Sequence, residues 1–183
     1  MERYNLPILI HPGARPPCPT IPARKFALPG VDETRQPVAS SMAMFRLVYG
    51  GVMERFPNFK IVTHHCGGVI PILPGAWVER RLQRDAHGHR TSSSPQAARI
   101  LPPHVLRHRQ QRLSAGLRCG MDFAGIGKLV FATDLPFCNQ KGLRLIRDSI
   151  AAVDALDLAP GDRRKVFQSN AVDLFRLPLS TFV

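Results

Sequence analysis

No run of apolar residues in this 183-residue chain approaches the roughly 18 that a membrane-spanning helix needs. The first residues also lack the basic-then-apolar pattern of a secretory signal. The expectation is therefore a cytoplasmic protein with no membrane partner. Four cysteines, Cys18, Cys66, Cys119 and Cys138, are widely scattered and form no CxxC pair. That spacing argues against a zinc ribbon or a dense disulfide framework, and suits reduced, mostly buried thiols. Aromatic residues make up only 7% of the chain, and none falls between Asp85 and Ser114. Acids are scarce as well, with 13 against 25 lysines and arginines.

What the chain has is a local excess of positive charge. The net charge is +12, and the segment Arg80 to Arg118 holds nine arginines, no lysine and one acid, Asp85, so +8 of the +12 lies there. A basic stripe of this kind invites nucleic acid or an acidic partner. Without an aromatic to stack on bases, nucleic-acid binding is disfavoured and a solvated loop is the better reading. Apolar residues at 44% and charged residues at 21% are ordinary for one globular domain with a real core. The whole chain, 1–183, reads as a single domain interrupted by the irregular basic segment 85–114.

Taken in order, Met1 to Asn5 looks like the end of a helix. Leu6 to Ile10 is a continuous apolar run, which predicts a strand buried on both faces and ends at His11-Pro12-Gly13. Proline is dense from Pro12 to Pro37, which predicts a long loop. Ser40 to Phe56 has helical spacing, with Met44, Leu47, Val48, Gly51, Val52 and Phe56 inward. A turn at Pro57-Asn58 leads into a strand, Phe59 to Val62, that ends at Thr63-His64-His65-Cys66-Gly67-Gly68. After an irregular entry through Pro71 and Pro74, a helix is expected from about Ala76. Further on come a short helix, Leu117 to Phe123, and a turn at Gly125-Ile126-Gly127. A strand, Lys128 to Ala132, then runs into Thr133-Asp134-Leu135-Pro136. Helices are predicted over 141–156 and 160–177, the last with Val166, Phe167, Ala171, Leu174 and Phe175 inward. The alternation is an α/β pattern with parallel strands.

Three strands thus end in a polar group: His11, the pair His64 and His65, and Asp134. In parallel α/β folds the C-terminal strand ends are where catalytic groups collect, because the loops there can surround a substrate. Imidazole and carboxylate at such ends suit zinc or a similar divalent ion. Singly, each has a simpler explanation: a hydrogen-bonded structural histidine, or an Asx turn at Asp134. Their joint occurrence at equivalent ends favours a site.

The stretches Leu6 to Pro12, Arg55 to Gly68 and Leu129 to Phe137 resemble the amidohydrolase-related family, in its branch of aminocarboxymuconate-semialdehyde and resorcylate decarboxylases. Arg163 to Phe167 with Asn170-Ala171 is similar to that family's last helix. The resemblance implies the C-terminal portion, about strands five to eight, of a (β/α)8 barrel with one catalytic divalent metal, zinc or manganese. By the same resemblance His11 is a metal ligand, Asp134 a ligand that also handles protons, and His65 the acid–base residue. His64 is its substrate-side or supporting neighbour, and Arg15 faces the carboxylate of a small carboxylic-acid substrate. The reaction implied is decarboxylation of an aromatic or unsaturated acid, or a related hydrolysis. The family's first-strand ligand pair has no counterpart among these residues, so weak metal affinity is expected of this chain alone. The competing expectation is a non-catalytic half-barrel that pairs with itself or another chain through open sheet edges, and a homo-oligomer is expected in either case.

The family's seventh strand, which often reads Asp-Thr-Ala, is missing from the basic segment, so that strand is expected to be poorly formed. Arg107-His108-Arg109-Gln110-Gln111-Arg112 is what codons for Asp-Thr-Ala-Asn-Asn-Gly yield when read one base early. Translating the gene in all three frames is expected to reveal that strand in a shifted frame. Three frames without it would make the arginine-rich segment a true insertion.

Overall fold

The computed structural model describes residues 2–11, 31–73, 114–135 and 140–178. A 3-10 turn, Glu2–Tyr4, precedes strand β1, Ile8–Ile10. Helix α1, Val31–Tyr49, is followed after two glycines by the single turn α2, Val52–Arg55. Strand β2, Ile61–Thr63, comes next, then 3-10 turns at His65–Gly67 and Ile70–Ile72. Helices α3, Ser114–Ala124, and α4, Leu143–Asp154, follow. The C-terminal helix has three parts: α5, Pro160–Arg164, a π-helical turn Lys165–Ser169, and α6, Asn170–Phe175. No helix among the described residues is long and apolar enough to cross a membrane.

β1 and β2 are parallel, in the register Ile8 to Ile61, Leu9 to Val62 and Ile10 to Thr63. β2 is buried along its length, with Thr63 fully enclosed. The expected burial of the first strand on both faces is not found: Ile8 is 36% and Leu9 53% exposed. The physical reason is its position. The sheet has two strands among the described residues, and none of those residues pairs with the far side of β1.

Other boundaries also move. α1 begins at Val31 and passes through Pro37, where a loop was expected. Proline forgoes one backbone hydrogen bond in a helix interior, and here the surrounding helix tolerates that loss. Phe56, expected inward, is exposed beyond the end of α2, whereas Met53 reaches the core. The second strand sits at 61–63, one to two residues later than its apolar run suggests. Lys128 to Ala132 is not a ladder strand. Its start is a 3-10 turn, Ile126–Lys128, Leu129 makes an isolated β-bridge, and the extended stretch from Leu129 onward is also held by the last helix. The helix expected from Ala76 and the seventh-strand segment lie outside the described residues.

Two apolar clusters form the core. Met44, Ile61 and Ile70 make one, with Ile10, Leu47, Met53, Phe59 and Phe123 against it. Leu117, Leu129, Val153, Leu156 and Val166 make the other, with Cys66, Met121 and Phe131 among its neighbours. α3 links them, since Leu117 and Phe123 belong to different clusters.

The π-helical turn has a purpose in this packing. The Asn170 backbone N–H bonds the Lys165 carbonyl, five residues back. That leaves the Val166 carbonyl to accept the Phe131 N–H, at 3.0 Å. The Asn170 side-chain amide donates to the carbonyls of Ile126, at 2.8 Å, and Leu129, at 2.7 Å. One buried amide thus satisfies two backbone acceptors at once. Asn170→Ala is expected to cost about 2 kcal/mol or more of folding stability, because buried carbonyls left unpaired carry a desolvation penalty. Urea unfolding followed by circular dichroism checks it; a change within about 0.5 kcal/mol, the range of ordinary surface substitutions, would contradict the assignment.

Candidate active site

The parallel register that pairs Ile10 with Thr63 brings His11 and His64 side by side at the strand ends. Their ring centroids are 4.7 Å apart, with planes at 77°. His65 stands further away, 6.5 Å from His11 and 6.4 Å from His64. The Ile10 carbonyl lies 2.6 Å from His64 Nδ1 and 3.4 Å from the His64 backbone N–H. A carbonyl can only accept, so Nδ1 carries the proton in that contact and the ring's lone pair is on Nε2.

The chain after β2 does not continue extended. His65 and Cys66 have φ of 58° and 52°, followed by Gly67 at 82° and Gly68 at 68°. Two side-chain-bearing residues in the left-handed region cost roughly 1–2 kcal/mol each, and such conformations persist where the surroundings enforce them. Three contacts supply the enforcement. The Ser41 hydroxyl on α1 donates to the Pro37 carbonyl at 2.8 Å, with the Gly67 carbonyl at 3.4 Å, and accepts the Val69 N–H at 2.9 Å. Gly68 lies so close to α1 that a Cβ there would collide with the Pro37 carbonyl and the Ser41 hydroxyl. On the other side a Cβ at Gly120 of α3 would come within 3.1 Å of the Cys66 Cβ. The turn carrying His65 is clamped between two helices.

Asp134 sits half-buried in a left-handed conformation, φ 58°, where the chain leaves its extended stretch. Aspartate tolerates that region better than most side chains. The next residue, Leu135, lies over Gly142 so closely that a Cβ at Gly142 would overlap it. The aspartate is therefore fixed from both sides, by the last helix before it and the start of α4 after it.

The structure brings His11, His64 and His65 to one strand end. Arg15 lies outside the described residues. Among the described residues no group of three or more histidine, cysteine, aspartate or glutamate side chains is gathered closely enough to hold a metal ion, so His11 and Asp134 do not complete one with the other histidines. The donors suit a divalent transition metal in kind but fall short in number. Ser41 and Asn170, which hold the site's backbone, were not read from the sequence as site residues. Ser41 was within reach: it lies three residues before Met44, on the same helical face. The clamp it forms joins residues 26 and 28 positions apart, which no local pattern reveals.

A family model described as Amidohydrolase matches residues 1–177. The chain belongs to the amidohydrolase family. No curated protein sequence matches it. Among solved structures it is similar to 5-carboxyvanillate decarboxylase from Sphingomonas paucimobilis, with 21% identity and a TM-score of 0.68 over 96% of this chain and 51% of that one. It is also similar to 2,6-dihydroxybenzoate decarboxylase from Rhizobium, with 20% identity and a TM-score of 0.65 over 96% and 52%. A third is a dihydroxybenzoic acid decarboxylase from Polaromonas with bound manganese and 2-nitroresorcinol, with 21% identity and a TM-score of 0.67 over 100% and 54%. The chain spans about half the length of these structures, and its fold is part of a (β/α)8 barrel that the described strands do not close.

Gly68→Ala is expected to destabilise this amidohydrolase-family domain by about 2 kcal/mol or more, since it combines a strained φ with overpacking against α1. Thermal unfolding measures it. An unchanged melting temperature would mean that α1 does not clamp the turn.

Proposed function

We propose that this chain is the part of a metal-dependent decarboxylase that carries the proton-handling histidine, acting on an aromatic or unsaturated carboxylic acid. Membership of the amidohydrolase family and the decarboxylase names of the similar structures support the class. The observation that carries it is the meeting of His11, His64 and His65 at one C-terminal strand end. His11 and Asp134 are the residues that would hold the metal, which is manganese in the Polaromonas structure. Such an ion, when bound, anchors and polarises the substrate's carboxylate or an adjacent oxygen. Arg15, with His64, faces the same carboxylate. His65, half-buried on its clamped turn, delivers a proton to the carbon that loses CO2. The carbon–carbon bond breaks, the carboxylate leaves as CO2, and the electron pair left on carbon takes that proton. Hydrolysis of a related substrate would use the same histidine on a water.

A second reading has its own support. β1 presents an edge without a strand partner among the described residues, and Leu6, Leu9 and Leu135 are exposed. Open apolar edges recruit other chains. In that reading the domain is non-catalytic and associates with itself or a partner.

The two separate in one preparation. The chain supplied with manganese is expected to release CO2 from 2,6-dihydroxybenzoate or 5-carboxyvanillate, and His65→Asn to lower kcat by roughly 100-fold, as for loss of a general acid. No turnover of either acid, together with a multimeric mass by light scattering, supports the second reading. Unimpaired turnover by His65→Asn removes the histidine from its role.

A further inference from the structure

We propose that Ser41, on α1 and outside the histidine cluster, is a positioning residue for His65: its hydroxyl sets the angle at which the turn after β2 presents that ring. The inference rests on the proton-handling reading of His65 and extends it to a second element. Three observations carry it. First, connection. Two peptide units join Gly68 to its neighbours, and both meet the Ser41 oxygen. The Val69 N–H donates to it at 2.9 Å, and the Gly67 carbonyl lies 3.4 Å from it. On the other edge of the Gly67–Gly68 peptide, the Gly68 N–H donates to the His65 carbonyl at 2.8 Å. A single peptide plane thus separates the Ser41 hydroxyl from the backbone of His65.

Second, chemistry. The same oxygen donates its proton to the Pro37 carbonyl at 2.8 Å while it accepts the Val69 N–H. A hydroxyl does both from one atom, whereas alanine does neither and a thiol does each weakly. Ser41 is 1% exposed, so solvent does not compete for either bond. Third, strain. His65 and Cys66 hold φ of 58° and 52°, which side-chain-bearing residues keep only where the surroundings impose it. The turn's own bonds, Gly67 N–H to His64 and Gly68 N–H to His65, close within the turn and give it no reference to the sheet. Ser41 supplies that reference, because α1 packs its Met44 with Ile61 of β2. The ring of His65 is therefore set by a helix that begins its contact with the sheet elsewhere.

The test compares Ser41→Ala with Ser41→Thr in the full chain, since threonine keeps the hydroxyl and can reach the carbonyl four residues back. Val153→Ala, in the other apolar cluster, controls for lost stability alone. Circular dichroism confirms that each variant is folded. NMR reads two signals that need no turnover: hydrogen exchange at the Val69 amide and the ring resonances of His65. Ser41→Ala is expected to speed Val69 exchange about tenfold or more beyond the change shared by other amides, and to move the His65 resonances. Ser41→Thr is expected to restore both, and Val153→Ala to leave both in place. With 2,6-dihydroxybenzoate as substrate, Ser41→Ala is expected to lower kcat about tenfold while KM changes less than about twofold. Unmoved His65 resonances in Ser41→Ala would overturn the proposal, as would the same movement in Val153→Ala or a folded Ser41→Thr that behaves as alanine does. A chain without turnover would remove the decarboxylase reading, and the two NMR signals would still decide whether Ser41 positions the ring.

Discussion

Parallel pairing of two three-residue strands is the constraint on which this site depends. Each strand is too short to define a direction alone. Once Ile10 is set opposite Thr63, the next residue of each chain must be a neighbour of the other, and both are histidines. The Ile10 carbonyl then serves twice, approached by the His64 backbone N–H and by its ring. A slip of one residue would put a different residue beside His64 and turn the tightly packed Ile61 and Thr63 to the opposite face of β2.

The second layer of control lies in the helices. α1 grips the turn after β2 through Ser41 and the bare backbone of Gly68, and α3 closes the other side at Gly120. The last helix holds the extended stretch before Asp134 with one side chain and one released carbonyl. In a complete parallel barrel much of this stretch's backbone would be satisfied by neighbouring strands. Here the π-helical turn and Asn170 supply part of that satisfaction around the fully buried Leu129.

Much of this was readable from local pattern. The helices over 114–124, 143–154 and 160–175 follow their apolar periodicity, and their buried residues Leu117, Val153, Val166 and Leu174 fall on the inward faces. The meeting of His11, His64 and His65 was legible too, because each follows an apolar run that points to a strand end. The errors share a cause. Proline density hid nearly half of α1, residues 31–39, since Pro37 breaks a helix by propensity and is carried by tertiary packing. The apolar run at 6–10 predicts a strand buried on both faces and that at 128–132 a strand, but an apolar run cannot state what stands beside it.

The sequence by itself determined the family, because motifs are written in consecutive positions and survive translation into any structure. It also set the helices, whose hydrogen bonds close within a few residues. Only the tertiary structure decided which histidine faces which. That depends on the register between segments more than fifty residues apart and on a left-handed turn that two separate helices impose. Neither helix, nor the distance between His11 and His64, is encoded near the histidines it governs.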